Sequence, residues 1–211
     1  MADRTNISFR AKRLNKALCV LYPRIRTALA YKSAWQLLVA TILSAQTLDK
    51  TVNNITPRLF SAYSDVHAIA KAPPARVARL IHGVNYYKTK AAHIVAAAKA
   101  IEARHHGRVP FAMHALIALP GVGRKTANVV INELGAAPSG IAVDTHVARL
   151  SRLFGLTRST KPVDIEQDLM RLIPKSQWRG FSLRLIQYGR DFCPARGHDH
   201  ASCPLKGFVA R

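Results

Sequence analysis

Leu119-Pro120-Gly121-Val122-Gly123-Arg124-Lys125-Thr126-Ala127-Asn128-Val129 is the stretch that decides how this chain is read. Two glycines one residue apart make a tight turn whose backbone N–H groups can approach a phosphate closely. The residues after Gly123 read as a helix, so the turn opens onto a helix N-terminus, which is a ready anion site. Lys125 falls in the first turn of that helix, beside the place where a phosphodiester would lie. A second helix start, Val143-Asp144-Thr145-His146-Val147, puts an aspartate further along the chain.

Outward from these two segments, helical periodicity dominates. Trp35, Leu38, Val39, Ile42 and Leu43 fall on one face at helical spacing. Ala91, Ile94, Val95, Ala98 and Ile101 do the same in an alanine-rich segment. Leu150, Leu153 and Phe154 continue the helix that starts near Asp144, and Ile165, Leu169 and Leu172 form a stripe that ends near Pro174. Pro73-Pro74, Pro110 and Pro120 punctuate the helices, and Gly135 and Gly155 are expected as C-terminal stops. No segment shows period-two alternation bounded by hairpin turns, and no repeat, low-complexity tract or linker is visible. The expected fold class is all-α.

At 211 residues and 49% hydrophobic content, the chain can bury a core and is not a disordered sequence. Its apolar runs are too short to span a bilayer, and MADRTNISFRAKR carries no apolar stretch resembling a signal peptide. Three unevenly spaced cysteines make no disulfide framework. A reducing, cytoplasmic setting without membrane contact is the expectation, nucleoid-associated in a bacterium. Thirty-two Lys and Arg stand against eleven Asp and Glu, a net charge of +21. Such a surface attracts a polyanion and releases its counterions. RNA-binding and membrane-surface proteins can be as basic, so charge alone names no partner.

LPGVGRKTANVV followed by VDTHVARLSRLFGL resembles the helix–hairpin–helix DNA glycosylases, and within them the endonuclease III family. The resemblance takes in LLVATILSAQTLDKTVN at 37–53, GRVP at 107–110 and GRDFCPAR at 189–196, and so covers about Tyr31 to Cys203. It implies two α-helical domains with a DNA-binding cleft between them. One is a helical barrel of about residues 29–137 that carries the hairpin. The other is discontinuous, residues 1–28 with 138–211. The implied activity is that of a DNA glycosylase and AP lyase acting as a monomer on duplex DNA with damaged bases or abasic sites.

Lys125 then becomes the candidate nucleophile. A neutral lysine amine can attack the sugar C1′ and displace the base, leaving a Schiff base that promotes elimination of the 3′ phosphate. Burial and the positive end of a helix dipole would both favour the neutral amine. A plain phosphate-contacting lysine is the other reading. Asp144 is the candidate partner, stabilising charge at C1′ or accepting a proton; Asp-Thr at a helix start is also a common cap. His146 is read as a packing or phosphate-side residue. Gly121, Val122 and Gly123 are expected to bind a phosphate through the loop, with Arg124 adding attraction, and the resemblance implies a monovalent cation on the loop carbonyls.

Gln46, in Ser44-Ala45-Gln46, matches the family glutamine that fills the gap left by a flipped-out nucleotide; by sequence alone it is an ordinary polar residue at a helix end. Asp49 and Asn53 follow and are expected to organise the pocket or the helix end. Gly83-Val84-Asn85-Tyr86-Tyr87-Lys88-Thr89-Lys90 departs from the family pattern, with Asn85 in place of a glycine and Tyr86 at the wedge position. Tyr86 is read either as an aromatic wedge in the base stack or as a packing tyrosine. Leu48, where a small polar residue is usual, is a second departure.

Endonuclease III relatives mostly carry four cysteines spaced C-x6-C-x2-C-x5-C that hold a [4Fe–4S] cluster. Here Cys193 and Cys203 occupy the first and third places, His200 the second and Val209 the fourth. Cys19 is distant in sequence and expected as a buried small residue. The expectation is therefore no cluster and no required cofactor, with the C-terminal loop held by packing. Zinc on Cys193, His198, His200 and Cys203 is the lesser alternative, since the spacing matches no common zinc module. Two other functional readings are a same-fold monofunctional glycosylase, which typically lacks the lysine, and a non-catalytic helix–hairpin–helix DNA-binding module.

Overall fold

The structure is a computed structural model and describes residues 2–134 and 137–210. The expected stop at Gly135 lies outside the described residues. Among those described there are helices and no strand, so the fold is all-α. Among the described residues no helix is long and apolar enough to cross a membrane. The chain divides into two compact units, Thr27–Ala136 and Met1–Arg26 with Ala137–Arg211.

After α1 (Ala2–Leu21), which belongs to the second unit, the first unit begins with α2 (Ala34–Ser44), capped by the Ser33 hydroxyl accepting from the Gln36 N–H. The five-residue stripe predicted here is buried, but so are Leu37, Ala40 and Thr41. A helix that is apolar all round belongs inside a core rather than on it, and α2 packs on α3 (Asp49–Ala62), α6 (Tyr87–His105) and α8 (Arg124–Glu133). α4 (Val66–Ala70) and α5 (Pro74–Leu80) pack on α6, and α7 (Met113–Ile117) leads through the hairpin into α8. Ala91, Ile94, Val95, Ala98 and Ile101 of α6 are buried as the spacing predicts. Asn53 on α3 ties down the entry to the unit, accepting from the Ala30 N–H and donating to the Ala28 carbonyl, both at 2.8 Å.

In the second unit, α1 packs on α10 (Pro162–Leu172) and α11 (Trp178–Asp191), and α11 packs on α9 (Thr145–Leu153). Leu14, Leu18, Val147, Leu150, Phe154, Ile165, Leu169, Phe181, Leu185 and Tyr188 are buried in its core. Leu153 and Leu172, read from sequence as core, are only partly buried. Gly155 follows α9 at φ 65°, and Leu156 donates back to the Ser151 carbonyl at 2.8 Å, a left-handed helix stop. Beyond α11 the described residues hold two short 3-10 turns, His200–Ser202 and Lys206–Phe208.

Candidate active site

The hairpin is built on the first unit's core. Gly121 has φ 76°, and a Cβ there would stand 2.8 Å from the Cβ of His93 on α6. Only glycine lets the turn lie so close. Val122 points inward and is buried, and its N–H donates to the Leu119 carbonyl at 3.1 Å, so its side chain anchors the hairpin. Gly123 is the N-cap of α8 at φ −89° and ψ 174°, a backbone any residue can adopt, and a Cβ there would meet nothing within 4 Å. Protein packing therefore accounts for Gly121 and leaves Gly123 without an internal reason; the open space suits the close approach of something else.

No side chain caps α8, and the first N–H groups of an α-helix have no acceptor within the helix. Arg124 and Lys125 are exposed beside them. The burial of Lys125 expected from sequence is not found: the residue is exposed in the first turn of α8.

Lys90 and His93 lie on one face of α6 at i and i+3, and Tyr86 is the residue that enters the helix. His93 touches the hairpin at Gly121. Lys90 is only 6% exposed, and its ammonium donates to the carbonyls of Leu43 (2.7 Å) and Ala45 and to the Thr47 hydroxyl (3.2 Å). Burial pushes the Lys90 pKa below the usual lysine value. The Asn85 side chain donates to the Gln46 carbonyl, and its N–H to the Thr47 hydroxyl at 3.2 Å. These bonds hold the α2–α3 loop against the start of α6. Both loops carry a residue in the left-handed region, Gln46 at φ 55° and Tyr86 at φ 57°, a conformation that costs a non-glycine residue about 1–3 kcal/mol. Both are exposed, Tyr86 by 66%. The structure thus brings Gln46 and Tyr86 together, and the packing alternative for Tyr86 is not what this chain shows. Leu48 is exposed too. Lys90 and Asn85, which do the holding, were missed as functional residues. A lysine amid the buried positions of an alanine-rich helix was the available signal.

In the second unit, Asp144 is the N-cap of α9, and its carboxylate accepts from the Val147 N–H at 2.9 Å. The cap fixes the orientation of the whole carboxylate. His146 packs on α11 at Gly189, where a Cβ would come within 2.6 Å of its Nδ1.

The C-terminal loop brings four donors together. The ligand atoms of Cys193, His198, His200 and Cys203 all lie within 4.8 Å of one another. His198 Nε2 is 3.2 Å from Cys203 Sγ, and His200 Nδ1 is 3.7 Å from Cys193 Sγ. Burial pushes the Cys193 thiol up, and the Arg149 guanidinium, 3.5 Å from its sulfur, pulls against that. This group could bind a metal. It does not fit a [4Fe–4S] cluster, which needs a donor on each of four irons, because Val209 at the fourth place carries none. Cys19 is half-buried, not buried, and its thiol faces Asn15 and Gln177.

Residues 39–175 match the model of the HhH-GPD superfamily base excision DNA repair proteins. The chain is 44% identical to endonuclease III of Synechocystis sp. over 93% of its own length and 90% of that protein's. It is 38% identical to endonuclease III of Bacillus subtilis, with 88% and 84% covered. A solved endonuclease III–DNA covalent intermediate, an estranged-adenine complex, superposes with a TM-score of 0.91 at 34% identity, covering 96% of this chain and 95% of that one. A thermostable thymine-DNA glycosylase shares the fold, with a TM-score of 0.83 at 21% identity, 95% of each chain being covered. The likeness extends over both units rather than the hairpin alone, so the chain belongs to the HhH-GPD superfamily of base excision DNA repair proteins and, within it, to the endonuclease III family.

Proposed function

We propose that this chain is a bifunctional DNA glycosylase and AP lyase that removes oxidised pyrimidines from duplex DNA and cuts the strand 3′ of the abasic site. The observation that carries the reading is the α8 N-terminus: an uncapped helix start behind Gly123, with open space beside it and an exposed lysine in its first turn. A phosphate of the DNA backbone docks on the amides of the hairpin, and Arg124 adds long-range attraction. Gly121 and Val122 serve by fixing the turn.

Lys125 is the proposed nucleophile. Its neutral amine attacks C1′, the C1′–N bond breaks, and the base leaves with the electron pair and gains a proton. The sugar ring opens to an iminium. Loss of a C2′ proton then breaks the C3′–O bond and releases the 3′ fragment with its phosphate. Because Lys125 is exposed in the chain itself, the dry surroundings that a neutral amine needs are supplied by the bound DNA. Asp144 is the proposed carboxylate that stabilises positive charge developing at C1′; its cap to Val147 keeps it from turning away. Gln46 fills the gap left by the extruded nucleotide, and Tyr86 wedges into the stack beside it. The left-handed backbone at both positions projects two exposed side chains from loops that Lys90 and Asn85 hold still. The protein acts as a monomer, and the chemistry uses no [4Fe–4S] cluster.

The test is borohydride reduction of the protein on a duplex containing one abasic site. The wild-type chain is expected to give a covalent adduct, and Lys125→Gln to bind the duplex without forming one. Undiminished adduct from Lys125→Gln overturns the assignment.

A further inference from the structure

We propose that Cys193, His198, His200 and Cys203 hold one zinc ion, and that this ion fixes the C-terminal loop. The geometry favours what the spacing alone did not. Zinc takes sulfur at about 2.3 Å and imidazole nitrogen at about 2.0–2.1 Å in a tetrahedron, which sets its donors about 3.3–3.8 Å apart. One sulfur–nitrogen pair stands at 3.7 Å, within that span, and the other at 3.2 Å, just below it; all four donors lie within 4.8 Å, so closing the set on an ion takes a contraction of about 1 Å at its widest. They converge on one point, as the ligands of a single ion do.

Burial and charge agree with this. Both sulfurs belong to buried residues, 1% and 3% exposed, and the half-buried imidazoles close the outer side. The two rings meet edge-on with centroids 4.6 Å apart, so each fixes the other's plane. Two thiolates and one Zn²⁺ sum to zero, so the ion itself adds no net charge at the two buried sulfurs. Arg149, which reaches both the sulfur and the carbonyl of Cys193, supplies the outer hydrogen bond that steadies a zinc thiolate. On binding, each cysteine gives up one proton. That of Cys203 is the one its thiol now donates to the Phe192 carbonyl at 3.2 Å.

Packing is a thin substitute for such an ion. From Pro194 to Ala210 the loop buries one large apolar side chain, Leu205, with Phe208 and Val209 partly covered.

The experiment is metal analysis of untagged, purified protein. About one equivalent of zinc per chain is expected, with no iron, no sulfide and no visible colour. Exchange into cobalt(II) should give thiolate-to-metal charge-transfer bands and the intense d–d bands of a tetrahedral site. This measurement uses the wild-type chain, so it decides the matter even if variants fold poorly. His198→Ala and Cys203→Ser should each lose the zinc, while His67→Ala should keep it. Protein that takes up no zinc when equilibrated with it overturns the proposal. So do a cobalt spectrum without thiolate bands, stoichiometric iron and sulfide, or zinc retained by the His198→Ala, Cys203→Ser double variant.

Discussion

Lys90 and Cys203 are both buried polar groups, and their surroundings are of opposite kinds. Lys90 projects from a long helix among Ala91, Ile94 and Val95, and its ammonium meets three oxygens, one in the last turn of α2 and two in the loop that follows. The apolar core around it is deep enough to hold two left-handed non-glycine residues, Gln46 and Tyr86, at the surface. Cys203 lies in a loop with two short turns and little apolar cover, and the polar groups around its sulfur are a histidine, a main-chain carbonyl, the Tyr188 hydroxyl and the Cys193 thiol. A well-filled core can carry strained, exposed loops by hydrogen bonds alone. A loop without such a core needs a cross-link.

If that contrast holds, withdrawing zinc acts on one region only, and it is the largest effect expected on stability. At free zinc about 100-fold above its dissociation constant, binding contributes about 2.7 kcal/mol. A strong chelator should then lower Tm by about 5–10 °C for a chain of this size. Hydrogen exchange should rise in residues 193–210 and stay slow in α2 and α6. Exchange rising equally in both regions would erase the distinction. Acidification should release the metal in the same way, because thiolates and imidazoles must be unprotonated to bind it.

Next in size is Lys90→Met, which keeps the bulk and removes the donor. Leaving the Leu43 and Ala45 carbonyls unpaired should cost about 1–3 kcal/mol. Excision of a damaged base should fall more than cleavage of a preformed abasic site, because the loop that loosens carries Gln46. Equal losses on the two substrates would show that the loop does not serve extrusion. Gly121→Ala comes third, at about 1–2 kcal/mol for a left-handed alanine, with further strain from His93. The smallest effects on stability separate fold from function. Gly123→Ala and Asp144→Asn should leave thermal unfolding within about 0.5 kcal/mol of wild type, the first because its Cβ meets nothing, the second because asparagine caps as well as aspartate. Gly123→Ala should nevertheless weaken binding to all duplexes, damaged or not, in titrations at fixed salt. Asp144→Asn should bind as well or better and turn over slowly. A lowered Tm for Gly123→Ala, or wild-type rates from Asp144→Asn, would return either residue to a purely structural role.

The difference between the regions also explains what could be read from the residues alone. The hairpin was legible because glycines, a helix start and a lysine stand next to one another in the chain. The α6 stripe was legible because burial on one face leaves a period. α2 was read as one-sided and is buried all round, since a continuous apolar run carries no period to show its second face. α11 buries Phe181, Leu185 and Tyr188 at helical spacing, yet Leu183 and Ile186 between them blur the stripe, and Gly180 and Gly189 at its two ends weaken the helical reading. Nothing in a sequence marks Gln46 or Tyr86 as left-handed, because that backbone is imposed by partners such as Asn85 and Lys90 on distant segments. Cys193, His198, His200 and Cys203 could be named together from the sequence but only as the lesser alternative, because spacing in an irregular loop does not set separation in space.

The central claim is that Lys125 carries the covalent step, and the most direct measurement is the site of the adduct. Wild-type protein is reduced with borohydride on abasic duplex, digested with protease and nuclease, and the modified peptide is sequenced by mass spectrometry. The account predicts a sugar remnant on the Lys125 side-chain nitrogen, within the peptide that follows Gly123. A remnant on Lys88, on Lys90 or on the N-terminal amine would contradict it.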